Sequence, residues 1–251
     1  MAGFDCKGVV IKVRDYGEND KIVTIFTDKL GKINVIARGA KRSKSKFLSV
    51  TLPFCFGQYM VYRGKGMYNL NEGSIINSFQ EFLNDLDSLT YASYICELID
   101  ISMIEEESNR ELFKILVTTL YLLKSKALDN ELLLRAYEVN VLRNTGYGLN
   151  LNYCSLCRKK INSSNYISLQ YYGGICDDCN KSGGFGISRV TYNLLKFLNS
   201  TPMDKIYRLN ISEEAKLELK KTLLLLISNS YSRVPKSLQM FDFIKECEKN
   251  E

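Results

Sequence analysis

The sequence predicts an α+β, multi-domain architecture: an N-terminal OB-type β-barrel, a helical bundle, and a four-cysteine module inserted into that bundle. Three observations carry this expectation. Strand-like text is confined to the first eighty residues, helical periodicity begins near residue 81, and two CxxC pairs interrupt it. The domain boundaries that follow are 1–80 for the barrel, 81–150 and 186–251 for the two parts of the helical domain, and 151–185 for the cysteine module.

The barrel rests on short β-branched and aromatic runs: GVVIKV at 8–13, KIVTIFT at 21–27, KINVIAR at 32–38, FCFGQYMVYR at 54–63, and a weaker pair at 67–70 and 74–78. Turn text separates the first three, Tyr16-Gly17-Glu18-Asn19-Asp20 and then Asp28-Lys29-Leu30-Gly31. Five or six strands in so short a span suit an OB-type barrel, with an SH3-like barrel as the alternative.

The helical part is read from apolar stripes. Ala92, Ile95, Leu98 and Ile99 share one face; Leu112, Ile115, Leu116, Thr119, Leu120 and Leu123 share a second; Leu134, Tyr137, Val141 and Leu142 share a third, which Gly146 and Gly148 end. Past the cysteines, Ser188 reads as the N-cap of a helix through Val190, Leu194 and Leu198. Ser212, followed by Glu213 and Glu214, opens another through Leu219, Leu223 and Leu226. Such stripes mark core.

Cys154-Ser-Leu-Cys157 and Cys176-Asp-Asp-Cys179 are 18 residues apart, the spacing of a zinc ribbon. Two residues between cysteines let one tight turn aim both sulfurs at a single ion, and a hairpin in the intervening segment returns the second pair. Four thiolates complete a tetrahedral shell and leave no position for water, so one structural zinc ion is expected on Cys154, Cys157, Cys176 and Cys179. Redox dithiols or an iron–sulfur centre are the rival chemistries. Arg158, Lys159 and Lys160 would partly offset the negative charge of a zinc–tetrathiolate centre, or simply decorate a solvated hairpin. Cys6, Cys55, Cys96 and Cys247 are isolated and read as small buried apolar residues.

Charge is partitioned. Residues 1–80 carry 13 Lys/Arg against 6 Asp/Glu, and residues 81–150 reverse this with 6 against 12. Between Asp28 and Glu72 there is no acidic residue at all. An unbalanced cationic field attracts phosphate backbones and releases their counterions. Lys32, Arg38, Lys41, Arg42, Lys44, Lys46, Arg63 and Lys65 are therefore candidate nucleic-acid contacts. Phe26, Phe47, Phe54, Phe56, Tyr59, Tyr62 and Tyr68 are interleaved with them; Phe26, Phe54 and Phe56 read as core, whereas the tyrosines are the better candidates for stacking on bases. No basic amphipathic helix accompanies the stretch, which favours nucleic acid over anionic membrane.

The composition also excludes. There is no histidine, hence no imidazole base or ligand. No GxxxxGK[ST] phosphate loop is present. The longest apolar stretch, residues 223–227, is far short of the roughly 20 residues that cross a bilayer, and no secretory leader is evident, so a cytoplasmic, non-membrane protein is expected. A non-enzymatic DNA-binding protein is the first expectation. A zinc-ribbon nucleic-acid-processing enzyme drawing on Glu105, Glu106 and Glu107, and an adaptor whose basic barrel takes an acidic protein, are the alternatives. Consecutive glutamates on a helix point about 100° apart and cannot converge on one metal, so a solvated helix end is the better reading of that cluster.

The opening GVVIKVRDYGENDKIVTIFTDKLGKINVIARGAKRSKSK, the C-x2-C-x18-C-x2-C insertion and the late SYSRVPKSLQMF together resemble the RecO family of bacterial recombination mediators, over essentially the whole chain. The resemblance implies binding of single- and double-stranded DNA, annealing of complementary strands, partnership with RecR, and help in loading RecA onto DNA covered by single-strand binding protein. It implies contact with single-strand binding protein through the helical region and a nucleoid-associated location. It maps a basic barrel surface onto Arg38, Lys41, Arg42, Lys44 and Lys46, and zinc ligands onto the paired cysteines.

Overall fold

The computed structural model describes residues 3–208, 211–231, 233 and 235–237. Cys247 and, within SYSRVPKSLQMF, Ser232, Val234 and everything beyond Ser237 lie outside them. The described chain forms two compact units, one of residues 3–125 with 235–237, the other of residues 126–208, 211–231 and 233. The first two long helices thus belong with the barrel.

In the first unit five strands close into a barrel in the order β1-β2-β3-β5-β4: β1 (Gly3–Tyr16), β2 (Asp20–Thr27), β3 (Gly31–Ala37), β4 (Phe56–Arg63) and β5 (Tyr68–Asn77). This is the OB arrangement, with antiparallel neighbours throughout except the parallel contact of β3 with β5. β1 is far longer than its apolar run because it serves two partners, β4 through its first half and β2 through its second, with a register shift between Val10 and Lys12. The two weak runs at 67–70 and 74–78 are a single strand, β5. Opposite Met60 and Val61 the register skips Asn71, a bulge that reads as a break in the sequence.

Alternation sorts the barrel. Val10, Val23, Ile25, Ile33, Val35, Val61, Tyr59 and Tyr68 point inward, and Ala40, Phe47 and Val50 from the long β3–β4 connection pack against that core. Phe26 and Phe56 are buried too, but outside the barrel, each with its ring about 6 Å from Phe113 of helix α2 (Arg110–Ser125). Helix α1 (Leu86–Ser102) covers β1. At the end of the described chain, Glu97 of α1 accepts the amides of Lys236 (2.8 Å) and Ser237 (2.9 Å) and the Ser237 hydroxyl (2.7 Å).

The second unit packs α3 (Asn130–Asn144), α4 (Arg189–Ser200) and α5 (Glu213–Ser230) around one another. α3 has no wet stripe: every residue from 132 to 142 is buried, including the ion pair Arg135–Glu138 at 2.8 Å. Ser188 and Ser212 cap α4 and α5, accepting the amides of Thr191 and Ala215. The inward face of α4 is Thr191, Tyr192, Leu195 and Leu198, and Val190 is exposed. The expected stripe is rotated because the Tyr192 hydroxyl donates to the Leu151 carbonyl (3.0 Å) and fixes the helix by that face. Between α3 and α4 lies a three-stranded sheet of order β7-β6-β8: β6 (Tyr166–Ser168), β7 (Gly173–Gly174) and β8 (Gly184–Gly186).

Candidate metal centre and nucleic-acid interface

The sulfurs of Cys154, Cys157, Cys176 and Cys179 all lie within 4.8 Å of one another. Cys154 and Cys179 are 3.9 Å apart, Cys157 and Cys176 3.7 Å. A tetrahedral ion with metal–sulfur bonds of about 2.3 Å requires edges of about 3.8 Å, which these two separations match, so the four sulfurs are close enough to share one ion. Each pair sits on its own turn. In the first, the Cys154 amide donates to Lys159 O (2.8 Å) and the Arg158 amide to Cys154 O, with Arg158 at φ +63; in the second, the Cys179 amide donates to Cys176 O. The β6–β7 hairpin supplies the return, and the Ser155 amide donates to Gly174 O (2.9 Å). Gly174 must be glycine, since a Cβ there would strike the Tyr192 ring.

The thiols divide sharply. Burial opposes ionisation of Cys154, but the amides of Cys176, Cys157 and Leu156 outweigh it and bring its pKa down to about 6. Hydrogen bonding to the Cys176 and Cys157 thiols pushes Cys179 up to about 12. One thiolate is favoured, and four require a cation among them. Lys159 reaches across to Asp178 (2.8 Å), while Asp177 pairs with Lys181 (2.9 Å). Cys6, Cys55 and Cys96 are buried elsewhere, and burial pushes the first and last up to about 12. They are inert.

The acid-free stretch does not form one continuous cationic surface. Its core is the connection that leaves β3, residues 38–46, which is bound to the β1–β2 turn: the Gly39 amide donates to Asp20 Oδ1 (2.7 Å), the Lys41 amide to Asn19 O (2.9 Å), and Lys41 Nζ pairs with Asp15 (3.0 Å). Lys46 donates to Asn71 O (3.0 Å) and lies over the Phe47 ring. Arg38, Arg42 and Lys44 are exposed, and their side chains, with that of Lys65 at the β4–β5 turn, have no hydrogen-bonding or ion-pair partner among the described residues.

Two of the candidates are committed elsewhere. Lys32 is only 7% exposed; its ammonium donates to the Asp100 carbonyl and lies 3.5 Å from the Asp100 carboxylate, which also pairs with Lys12 (2.8 Å). It locks α1 to the barrel instead of facing solvent, because alternation turns it to the face that α1 and α2 cover. Arg63 is exposed but donates to Glu106 and to the Tyr68 hydroxyl (2.9 Å). Two of the three tyrosines differ from expectation as well, whereas Tyr62 is half-buried. Tyr59 is fully buried, its hydroxyl on Val50 O (2.9 Å), and Tyr68 is core. Half-exposed Tyr16, at the lip of the β1–β2 turn, is the aromatic actually offered beside the cationic connection.

Register also reveals a cation that charge counting passed over. On the outer face Arg14 pairs with Ile22, Ile22 with Ile36, and Ile36 with Asn69, an uncovered row one step beyond Lys12, Thr24 and Asn34. Arg14 is exposed there, and Arg38 follows Ile36 by two residues. It lay outside the acid-free window, and only strand pairing brings it in.

The glutamate cluster is not a helix end. Residues 104–107 connect α1 to α2 and run beside β3 as a short parallel partner, with a bridge between Lys32 and Glu105 and the Glu106 amide on Lys32 O (2.9 Å). Asn34 Nδ2 donates to Glu105 Oε1 (2.7 Å), and Glu106 takes Arg63.

A closed OB barrel carrying a cationic connection, followed by helices that hold a four-cysteine centre able to bind a metal, defines a multi-domain OB-fold protein with a structural-type metal module. Residues 1–79 match the family model described as recombination protein O N terminal, and residues 83–239 match recombination protein O C terminal. A protein of Clostridium acetobutylicum called DNA repair protein RecO is 55% identical, the match covering 98% of this chain and 100% of the relative. A protein of the same name from Clostridium perfringens strain 13 is 54% identical over the same shares, and one from Acetivibrio thermocellus is 30% identical over 96% of each chain. The chain belongs to the recombination protein O family. Among the described residues no helix is long and apolar enough to cross a membrane.

Proposed function

We propose that this protein is a DNA-binding recombination mediator acting in DNA repair, which anneals complementary single strands and, with RecR, helps load RecA onto DNA coated with single-strand binding protein. The observation that carries the reading is the outward-facing set Arg14, Arg38, Lys41, Arg42, Lys44, Lys46 and Lys65 around the β1–β2 and β4–β5 turns of an OB barrel, where that fold engages oligonucleotides. Backbone contact tolerates any sequence, and base pairing between two strands held on a cationic surface selects the product. No bond is made or broken by the protein. The cysteine centre holds one zinc ion, which closes residues 150–187 into a folded module.

Fluorescence anisotropy with a labelled single-stranded oligonucleotide tests the reading. Tight, salt-sensitive binding by the wild type, lost when Arg38, Lys41, Arg42, Lys44 and Lys46 are all changed to alanine in a protein that stays folded, is the expected result. Absence of binding by the wild type at low salt overturns it in favour of an acidic protein partner.

A further inference from the structure

We propose that the acidic segment of residues 104–107 is a built-in competitor for nucleic acid, occupying the open edge of β3 and withholding Arg63 until a strand displaces it. The inference rests on the DNA-binding reading of the barrel and adds to it a regulatory contact.

β3 meets β5 at Val35–Tyr68 and Ile36–Asn69, so its first half, residues 31–34, would present an unpaired edge. The α1–α2 connection covers part of that edge through an isolated parallel bridge, with the Glu106 backbone amide donating to Lys32 O and the Asn34 side-chain amide donating to the Glu105 carboxylate. The β2–β3 side of an OB barrel is also where an oligonucleotide lies. What covers it is Ile-Glu-Glu-Glu, three consecutive carboxylates, and Glu105, Glu106 and Glu107 are all exposed. This places negative charge along the seam much as a phosphate backbone would. The guanidinium of Arg63, held 4.9 Å over the Tyr68 ring, already rests on one of those carboxylates.

The attachment is suited to release. Its contacts to β3 and Arg63 are polar, Ile104 is 71% exposed and anchors nothing, and Glu106 sits at φ +63, a conformation that L side chains adopt only at a cost. A bound strand that took Arg63 and the β3 edge would also let Glu106 relax.

The test is a double-mutant cycle on the full chain, Glu106→Gln, Arg63→Ala and both together, each checked for an unchanged melting temperature and titrated with labelled oligothymidylate over a range of salt. Glu106→Gln should bind roughly three- to ten-fold tighter at low salt, with the slope of log K against log salt little changed, since the strand neutralises its phosphate on Arg63 in both proteins once the glutamate is displaced. In the Arg63→Ala background the Gln change should give no gain. An unchanged Kd for Glu106→Gln, or an equal gain without Arg63, overturns the competitor and leaves the segment as edge cover. Should Glu106→Gln fail to fold, hydrogen exchange on the wild type decides: saturating oligonucleotide should speed exchange of the Glu106 amide, and slower or equal exchange overturns the inference. If the wild type binds no oligonucleotide at low salt, the DNA-binding reading falls and this inference with it; binding that ignores Glu106 removes this inference alone.

Discussion

At the scale of single residues, the cations of the barrel have two opposite uses, which only burial distinguishes. Lys32 is a structural residue, and its partner Asp100 shows why. Burial alone would raise the Asp100 pKa, but Lys12 and Lys32 outweigh it and hold the carboxyl below its ordinary value. A carboxyl whose folded pKa is depressed contributes stability above its unfolded pKa, and that contribution is lost as pH falls through the folded value. Asp100→Asn should therefore destabilise the barrel unit by about 2 kcal/mol at pH 7, since it leaves the buried Lys32 ammonium without its counter-ion, and the penalty should shrink below pH 4. Urea denaturation of both proteins at the two pH values checks this. An equal penalty at both would show that packing, not charge, is the cause. Lys32→Ala should likewise cost stability while leaving affinity for DNA little changed.

At the scale of elements, the turns and edges decide what the strands and helices can do. Gly31 opens β3 at φ +69, and a Cβ there would strike the Glu107 backbone, so Gly31→Ala pays both for a left-handed backbone and for displacing the acidic segment. A loss of about 2 kcal/mol or more is expected in thermal or urea melts; a neutral substitution would mean that the segment yields freely. In the cysteine module, metal removal by a chelator, or Cys154→Ser, should expose residues 150–187 to limited proteolysis and reduce bound zinc well below one per chain by elemental analysis. Protection that survives chelation would make the β6–β7 sheet, not the ion, the organiser. Most elements were readable because their periodicity is local: the strand cores, the five long helices, the caps Ser188 and Ser212, and the paired cysteines all follow from neighbours in sequence. What escaped was set by distant partners. The ends of β1 are polar and exist because two other strands pair with them; Asn71 and Gly73 read as a break because a bulge admits residues that a regular strand avoids. Glu105 and Glu106 read as solvated because nothing in the sequence says that a strand edge waits beside them.

At the scale of the whole molecule, the net charge of +6 understates what a nucleic acid would meet, because the acidic balance of residues 81–150 hides the excess on the barrel. Function then depends on where uncommitted charge lies and not on the total. The side chains of Arg38, Arg42 and Lys44 have no internal partner among the described residues, that of Lys41 has only an exposed carboxylate, and that of Lys46 only a carbonyl and a ring face, so all can exchange water and weak contacts for phosphate at little cost. Each phosphate neutralised on a single strand contributes about 0.7 to the slope of log K against log salt. Changing all five to alanine should therefore flatten that slope by up to roughly 3.5 and slow strand annealing at low salt, where the wild type is fastest, with little effect at high salt, where screening has already removed the attraction. Arg14, off the connection but on the adjoining outer row, should subtract a further increment of about 0.7. Salt titrations of affinity and of annealing rate on the same three proteins measure both. A slope that survives the five changes would move the interface off the barrel; a flattened slope with an unaltered annealing rate would separate binding from annealing and leave the second to another surface.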